Sequence, residues 1–125
     1  MRIASGAVEV RLFGHSGGGA LAVLLARRIP EATRVVTIGG VLDTDAWTAL
    51  HDYAPLRMSL NPVDGGELGS SVTQVHLAGA RDENVPPELI ETAAGRLGAA
   101  DVRVLPGVSH SKGWEEYWPA ILAGQ

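Results

Sequence analysis

The sequence predicts an α/β fold, a parallel sheet of about four strands with helices on both faces. Short β-branched, apolar runs alternate with helical segments of about 10 to 15 residues, the pattern of βαβ units, and the right-handed crossover rule then makes the strands parallel. Hydrophobic residues make up 46% of the chain but aromatics only 5%, so the core is built from Ala, Val, Leu and Ile, with Trp47, Trp114 and Trp118 as isolated bulky pieces. The 16 glycines suit close packing of helix on sheet. At 125 residues the chain has the length of one domain, taken as 1–125, with no internal repeat or low-complexity segment.

The first strand is read at Ala7 to Phe13 (AVEVRLF), rich in β-branched residues and stopped by Gly14. Ser16 to Ile29 follows as a helix in which Leu21, Leu24 and Leu25 share one face and Ala20, Ala22, Val23 and Ala26 widen it. So few polar residues remain that burial on several sides is expected, and Arg27, Arg28 and Pro30 close its end. Arg34 to Ile38 is a short apolar strand ended by Gly39-Gly40, and Asp43 to His51 forms a helix capped by Asp43 or Thr44. From Asp52 to Ser71 no periodicity survives; a stretch this long reads either as a flap over a site or as a plain surface connection. Val72 to Leu77 is the third strand, Pro86 or Pro87 starts the third helix, which runs to Leu97, and Val102 to Leu105 is the fourth strand. Lys112 to Leu122 is read as one last helix, with Trp114 and Trp118 spaced i, i+4 on a core-facing side.

The 14 acidic and 10 basic residues leave a formal charge of −4 and are scattered without runs, which gives no electrostatic footprint for nucleic acid or an anionic membrane. Absence of cysteine excludes disulfides and thiolate metal ligands. The opening MRIASGAVEV has no apolar stretch long enough for a signal peptide, so a soluble cytoplasmic protein is expected.

Chemistry in parallel sheets collects beyond the C-terminal ends of the strands, and three motifs fall there. Gly14-His15-Ser16-Gly17-Gly18 fits G-x-S-x-G, in which a serine sits on a strained strand-to-helix turn that only small neighbours permit. With seven serines and 16 glycines in the chain, chance gives this pattern about 0.1 times, and its position after a strand and before a helix strengthens it. After the third strand, Asp82 and Glu83 compete as a carboxylate able to orient an imidazole. Of the four histidines, His110 lies in the loop past the fourth strand and is the candidate base, His15 a wall of the pocket, and His51 and His76 structural or surface residues.

These residues resemble the α/β-hydrolase superfamily, and most of all bacterial hydrolases in which an S-G-G-G-A-L-A elbow precedes G-x-x-D-x-x-V-P and P-G-x-x-H. The corresponding segments here are Ser16 to Ala22, Gly79 to Pro86 and Pro106 to His110. The order Ser, Asp, His is that of this superfamily. The resemblance implies Ser16 as nucleophile, Asp82 rather than Glu83 as the acid, His110 as the base and the Gly17 amide as one oxyanion donor. It implies no metal and no cofactor.

Members of the superfamily have further strands and two helices before the nucleophile strand, including the loop that gives the second oxyanion donor. This chain begins only a few residues before that strand and so resembles the C-terminal half of the fold, a truncated α/β-hydrolase-like sheet. Two expectations follow: the nucleophile strand becomes an open edge that favours a homo-oligomer, and the site is more open and short of one oxyanion donor, favouring small esters. The leading expectation is therefore a carboxylic ester hydrolase. Acyl transfer or amide or thioester hydrolysis by the same residues, and a non-catalytic oligomerising binding module, are the alternatives.

Overall fold

A computed structural model of the chain describes residues 8–123. Four strands, β1 (Val10–His15), β2 (Ala32–Ile38), β3 (Thr73–Gly79) and β4 (Val102–Leu105), form one sheet in the order β1-β2-β3-β4. Every neighbouring pair is parallel, with Leu12 opposite Val35, Val36 opposite Val75 and Ala78 opposite Val104. The helices are α1 (Gly17–Ala26), α2 (Thr44–Leu50), α3 (Pro87–Arg96) and α4 (Trp118–Leu122).

Because side chains alternate along a strand, the sheet has two apolar faces and each needs a cover. Val35 and Ala78 face Val23 and Ala26 of α1 and Ile90 and Ala93 of α3 in one core. Val36, Ile38, Val75 and Leu77 face Trp114 and Ile121 in the other. Helices thus lie on both faces, as the sequence predicts. Among the described residues β1 pairs only with β2, so its other side is an edge.

The packing face of α1 differs from the expectation. Its buried residues are Gly19, Ala22, Val23 and Ala26, spaced i, i+3, i+4, i+7, while Leu21 is 56% exposed and Leu24 and Leu25 are half-buried. The cause is close approach: a Cβ on Gly19 would stand 2.8 Å from the Cα of Gly40, so only the small-residue side of the helix fits against the sheet.

Other boundaries shift locally. Of the predicted first strand, Ala7 lies outside the described residues and pairing begins at Val10. The third strand runs on to Gly79. Asp43 is the cap of α2, accepting a hydrogen bond from the Ala46 amide at 3.1 Å. The last helix is not continuous: a 3-10 turn at Trp114–Glu116 precedes α4, which starts afresh at Trp118 with Pro119 in its first turn. Proline has no N–H to extend the preceding turn. Trp114 and Trp118 consequently do not share a helix face; Trp114 is buried and Trp118 is 38% exposed.

The 52–71 stretch is irregular apart from a 3-10 turn at Pro62–Gly65, yet it is tied down. Asn61 accepts from the Thr44 amide and donates to Asp43, both at 3.0 Å. The Arg27 guanidinium, at the end of α1, donates to the carbonyls of Pro62 (2.9 Å), Gly65 (3.3 Å) and Gly66. Residues 52–60 before these anchors are all exposed.

Candidate active site

Ser16 sits between β1 and α1 with φ 56° and ψ −121°, a conformation that L residues rarely adopt. The turn holds it there. The Ser16 amide donates to Ile38 at 3.0 Å, and its carbonyl accepts from Gly19 at 2.9 Å and Val41 at 3.1 Å. A Cβ on Gly14 would come within 2.1 Å of the Gly18 carbonyl, so the strand can meet the helix this tightly only with glycine there. Strain of this kind, about 1 to 3 kcal/mol, is offset by the hydrogen bonds that fix the turn.

Asp82 and His110 are brought together by stitching of the β3 and β4 ends. Ala80 and Arg81 amides donate to Leu105 (3.0 Å) and Val108 (2.8 Å), and a Cβ on Gly79 would meet the Val108 carbonyl at 2.5 Å. Asp82 is buried, with its Oδ1 accepting from the Asn84 amide at 2.9 Å and the Val85 amide at 2.8 Å. Its Oδ2 is 2.8 Å from His110 Nδ1, and His110 Nε2 is 2.9 Å from Ser16 Oγ. A carboxylate only accepts, so Nδ1 carries the proton, leaving the Nε2 lone pair to accept from the Ser16 hydroxyl. Gly39, at φ +54°, makes the space: a Cβ there would stand 3.1 Å from Asp82 Oδ2 and 3.4 Å from His110 Nδ1.

Glu83, the competing carboxylate, is exposed and takes no part in this chain of hydrogen bonds. His15, expected as a pocket wall, stands beside His110. Its Nε2 donates to the His110 carbonyl at 2.8 Å and the two rings are 5.0 Å apart. The same carbonyl accepts from the Trp114 indole at 3.2 Å, and that indole also reaches the Ser109 carbonyl at 3.1 Å. Trp114 thus anchors the loop that carries His110, a contact that sequence reasoning missed; a tryptophan four positions past the loop histidine was the available signal.

Trp47 was also undervalued. Its indole donates to Asn84 Oδ1 at 3.2 Å, His51 Nε2 donates to the Asn84 carbonyl at 2.5 Å, and the rings of Trp47, His51 and Tyr53 pack together. The end of α2 thus braces the loop that carries Asp82. His76 is fully buried and belongs to another network. Gln74 spends its amide N–H on the Leu97 carbonyl (2.8 Å), so its oxygen accepts from His76 Nε2 (3.0 Å), and His76 Nδ1 accepts from the Thr37 hydroxyl (2.7 Å).

Beside Ser16 lies an open cavity of about 590 Å3 whose wall includes Gly17, Leu21, Leu24, Trp47 and Leu60. Gly17 and Gly18 open α1, where the first amides of a helix have no acceptor within it. Among the described residues no cluster of three His, Cys, Asp or Glu side chains is arranged to hold a metal, and no helix is long and apolar enough to cross a membrane.

No protein-family model matches the sequence, and no curated protein matches it. Solved structures do. A monoacylglycerol lipase of Paleococcus ferrophilus superposes with a TM-score of 0.67 at 17% identity, over 93% of this chain and 67% of that one. An α/β hydrolase from a metagenome of lagoon sediment at Mar Chica, Morocco, gives 0.68 at 21% identity, over 93% of this chain and 60% of that one. The fold is that of the α/β hydrolases. A Pyrococcus furiosus esterase has the same relation to it, with a TM-score of 0.68 at 15% identity over 93% of this chain and 52% of that one. The chain therefore spans between about half and two thirds of the length of these structures.

Proposed function

We propose that the chain hydrolyses carboxylic esters through an acyl-enzyme on Ser16. The observation that carries this reading is the continuous hydrogen-bond chain from Ser16 Oγ through His110 to Asp82, at 2.9 and 2.8 Å. As Ser16 Oγ attacks the ester carbonyl carbon, its proton passes to His110 Nε2, and the Asp82 carboxylate stabilises the imidazolium. In this reading the carbonyl oxygen becomes an oxyanion that accepts from the Gly17 amide at the N-terminal end of α1. The C–O bond to the alcohol then breaks, with His110 returning its proton to the leaving oxygen. Water repeats the cycle on the acyl-enzyme: its proton goes to His110, the carboxylic acid leaves, and the proton returns to Ser16.

The lipase and esterase named among the similar structures support a hydrolase of this kind. Esters are favoured over amides because the ester carbonyl has less resonance stabilisation than an amide and so asks less of the oxyanion donors. The reading is tested with p-nitrophenyl butyrate. Wild-type protein is expected to turn it over, and Ser16→Ala to lose at least about 10^4-fold in kcat with an unchanged circular dichroism spectrum. Wild-type turnover in Ser16→Ala overturns the reading.

A further inference from the structure

The face of α1 that fails to pack on the sheet has a second partner available. Leu21 and Leu24, three residues apart on the helix, line the cavity at Ser16 together with Leu56 and Leu60, which come from the exposed 52–60 stretch. Trp47 of α2 lines it as well. From Ser16 to Leu24 the helix advances about 12 Å, so this groove is elongated, and its volume of about 590 Å3 lies within the range for small-ligand sites. An apolar trough this near a reactive serine is unusual to leave uncovered, because Leu21 at 56%, Leu56 at 44% and Leu60 at 62% exposure each forgo burial.

The walls also say which half of an ester lies there. Ser16 and Gly17, the nucleophile and the oxyanion donor, belong to the groove, whereas His110, Asp82 and His15 do not line it. His110 must protonate the leaving alcohol, so the alcohol side of the ester lies toward His110. The opposite substituent of the carbonyl carbon runs along α1. We propose that the groove between α1 and residues 56–60 is an acyl-chain site, selecting esters by a medium-length unbranched acyl group and leaving the alcohol largely unread. This rests on Ser16 being the nucleophile.

Two isomeric esters, ethyl octanoate and octyl acetate, carry the same bond and the same total hydrocarbon, so their ratio isolates the side that is read. A fully buried methylene is worth about fourfold in binding, and half that free energy, about twofold, is expected in a groove open on one side. Six extra acyl methylenes should then favour ethyl octanoate by about 50-fold in kcat/KM, and Leu24→Trp, which fills the far end, should reduce that ratio at least about tenfold. Because Leu24 is half-buried and its replacement could disturb folding, Leu60→Asp at the exposed rim is the second variant and should lower the same ratio. A ratio near one or reversed in wild type, or unchanged in both folded variants, overturns the acyl-site proposal while leaving Ser16 as nucleophile intact. If neither ester nor p-nitrophenyl butyrate is hydrolysed, the hydrolase reading has failed. The groove is then read in Ser16→Ala protein by the Trp47 fluorescence change on adding octanoate, with Trp47→Phe as control: saturation by octanoate but not acetate supports an acyl-chain site, and no saturation overturns it.

Discussion

Asp82 and Glu83 are adjacent carboxylates of the same charge, yet their surroundings differ entirely. Two backbone amides grip one oxygen of Asp82 and leave the other facing His110, while Glu83 points into solvent. Replacing Asp82 by Asn puts an amide N–H or a weaker acceptor against Nδ1, which disfavours the tautomer that accepts the Ser16 proton. Asp82→Asn is therefore expected to lower kcat by about 10^4 and Glu83→Gln to change it less than about twofold. Equal losses in p-nitrophenyl butyrate hydrolysis would contradict this division of roles. The residue types were legible in the sequence because a serine between glycines, and an acid and a histidine past strand ends, are local signals. His15 and Trp114 were not legible as partners of the His110 carbonyl. Their part depends on where a backbone oxygen points, which no side-chain pattern records.

At the scale of elements, four strands and their parallel arrangement could be read from apolar runs punctuated by glycine and proline. The packing face of α1 and the break before α4 could not. In α1 nearly every residue is apolar, so periodicity names no inward side, and the choice falls to the closest approach at Gly19. His76 was equally opaque, since a strand histidine carries no mark of burial. It joins β2, β3 and the end of α3 through Thr37, Gln74 and Leu97, and its pKa is lowered from 6.5 to about 4, chiefly by burial, with Asp101 opposing. The unfolded chain takes up this proton as pH falls through 6.5, the native state only near 4. Stability is thus fully present above 6.5 and falls by up to about 3 kcal/mol between 6.5 and 4. Urea unfolding across that window should show a smaller loss for His76→Gln than for wild type by about this amount. Parallel losses would mean that other groups govern the decline.

For the molecule as a whole, the sheet ends in strand β1, whose outer side is unpaired among the described residues, with Phe13 38% exposed beside it. Val10 and Ser16 turn their N–H groups toward the β2 side, to Glu31 and Ile38, so by alternation those of Phe13 and His15 face outward. Such an edge is a template for a second strand, and a homo-oligomer joined along β1 is our proposal for the assembly. Sedimentation at micromolar concentration should give a dimer or larger, shifted to monomer by Phe13→Pro, which removes an outward donor; a stable wild-type monomer would contradict it. The proposed hydrolysis depends on one chemical property, an activated Ser16. It is measured most directly by incubating the native protein with an alkyl fluorophosphonate and mapping the adduct by peptide mass spectrometry. The expected result is a single stoichiometric adduct on Ser16 that is lost in His110→Ala; an unlabelled protein, or label spread over other hydroxyls with Ser16 untouched, would contradict it.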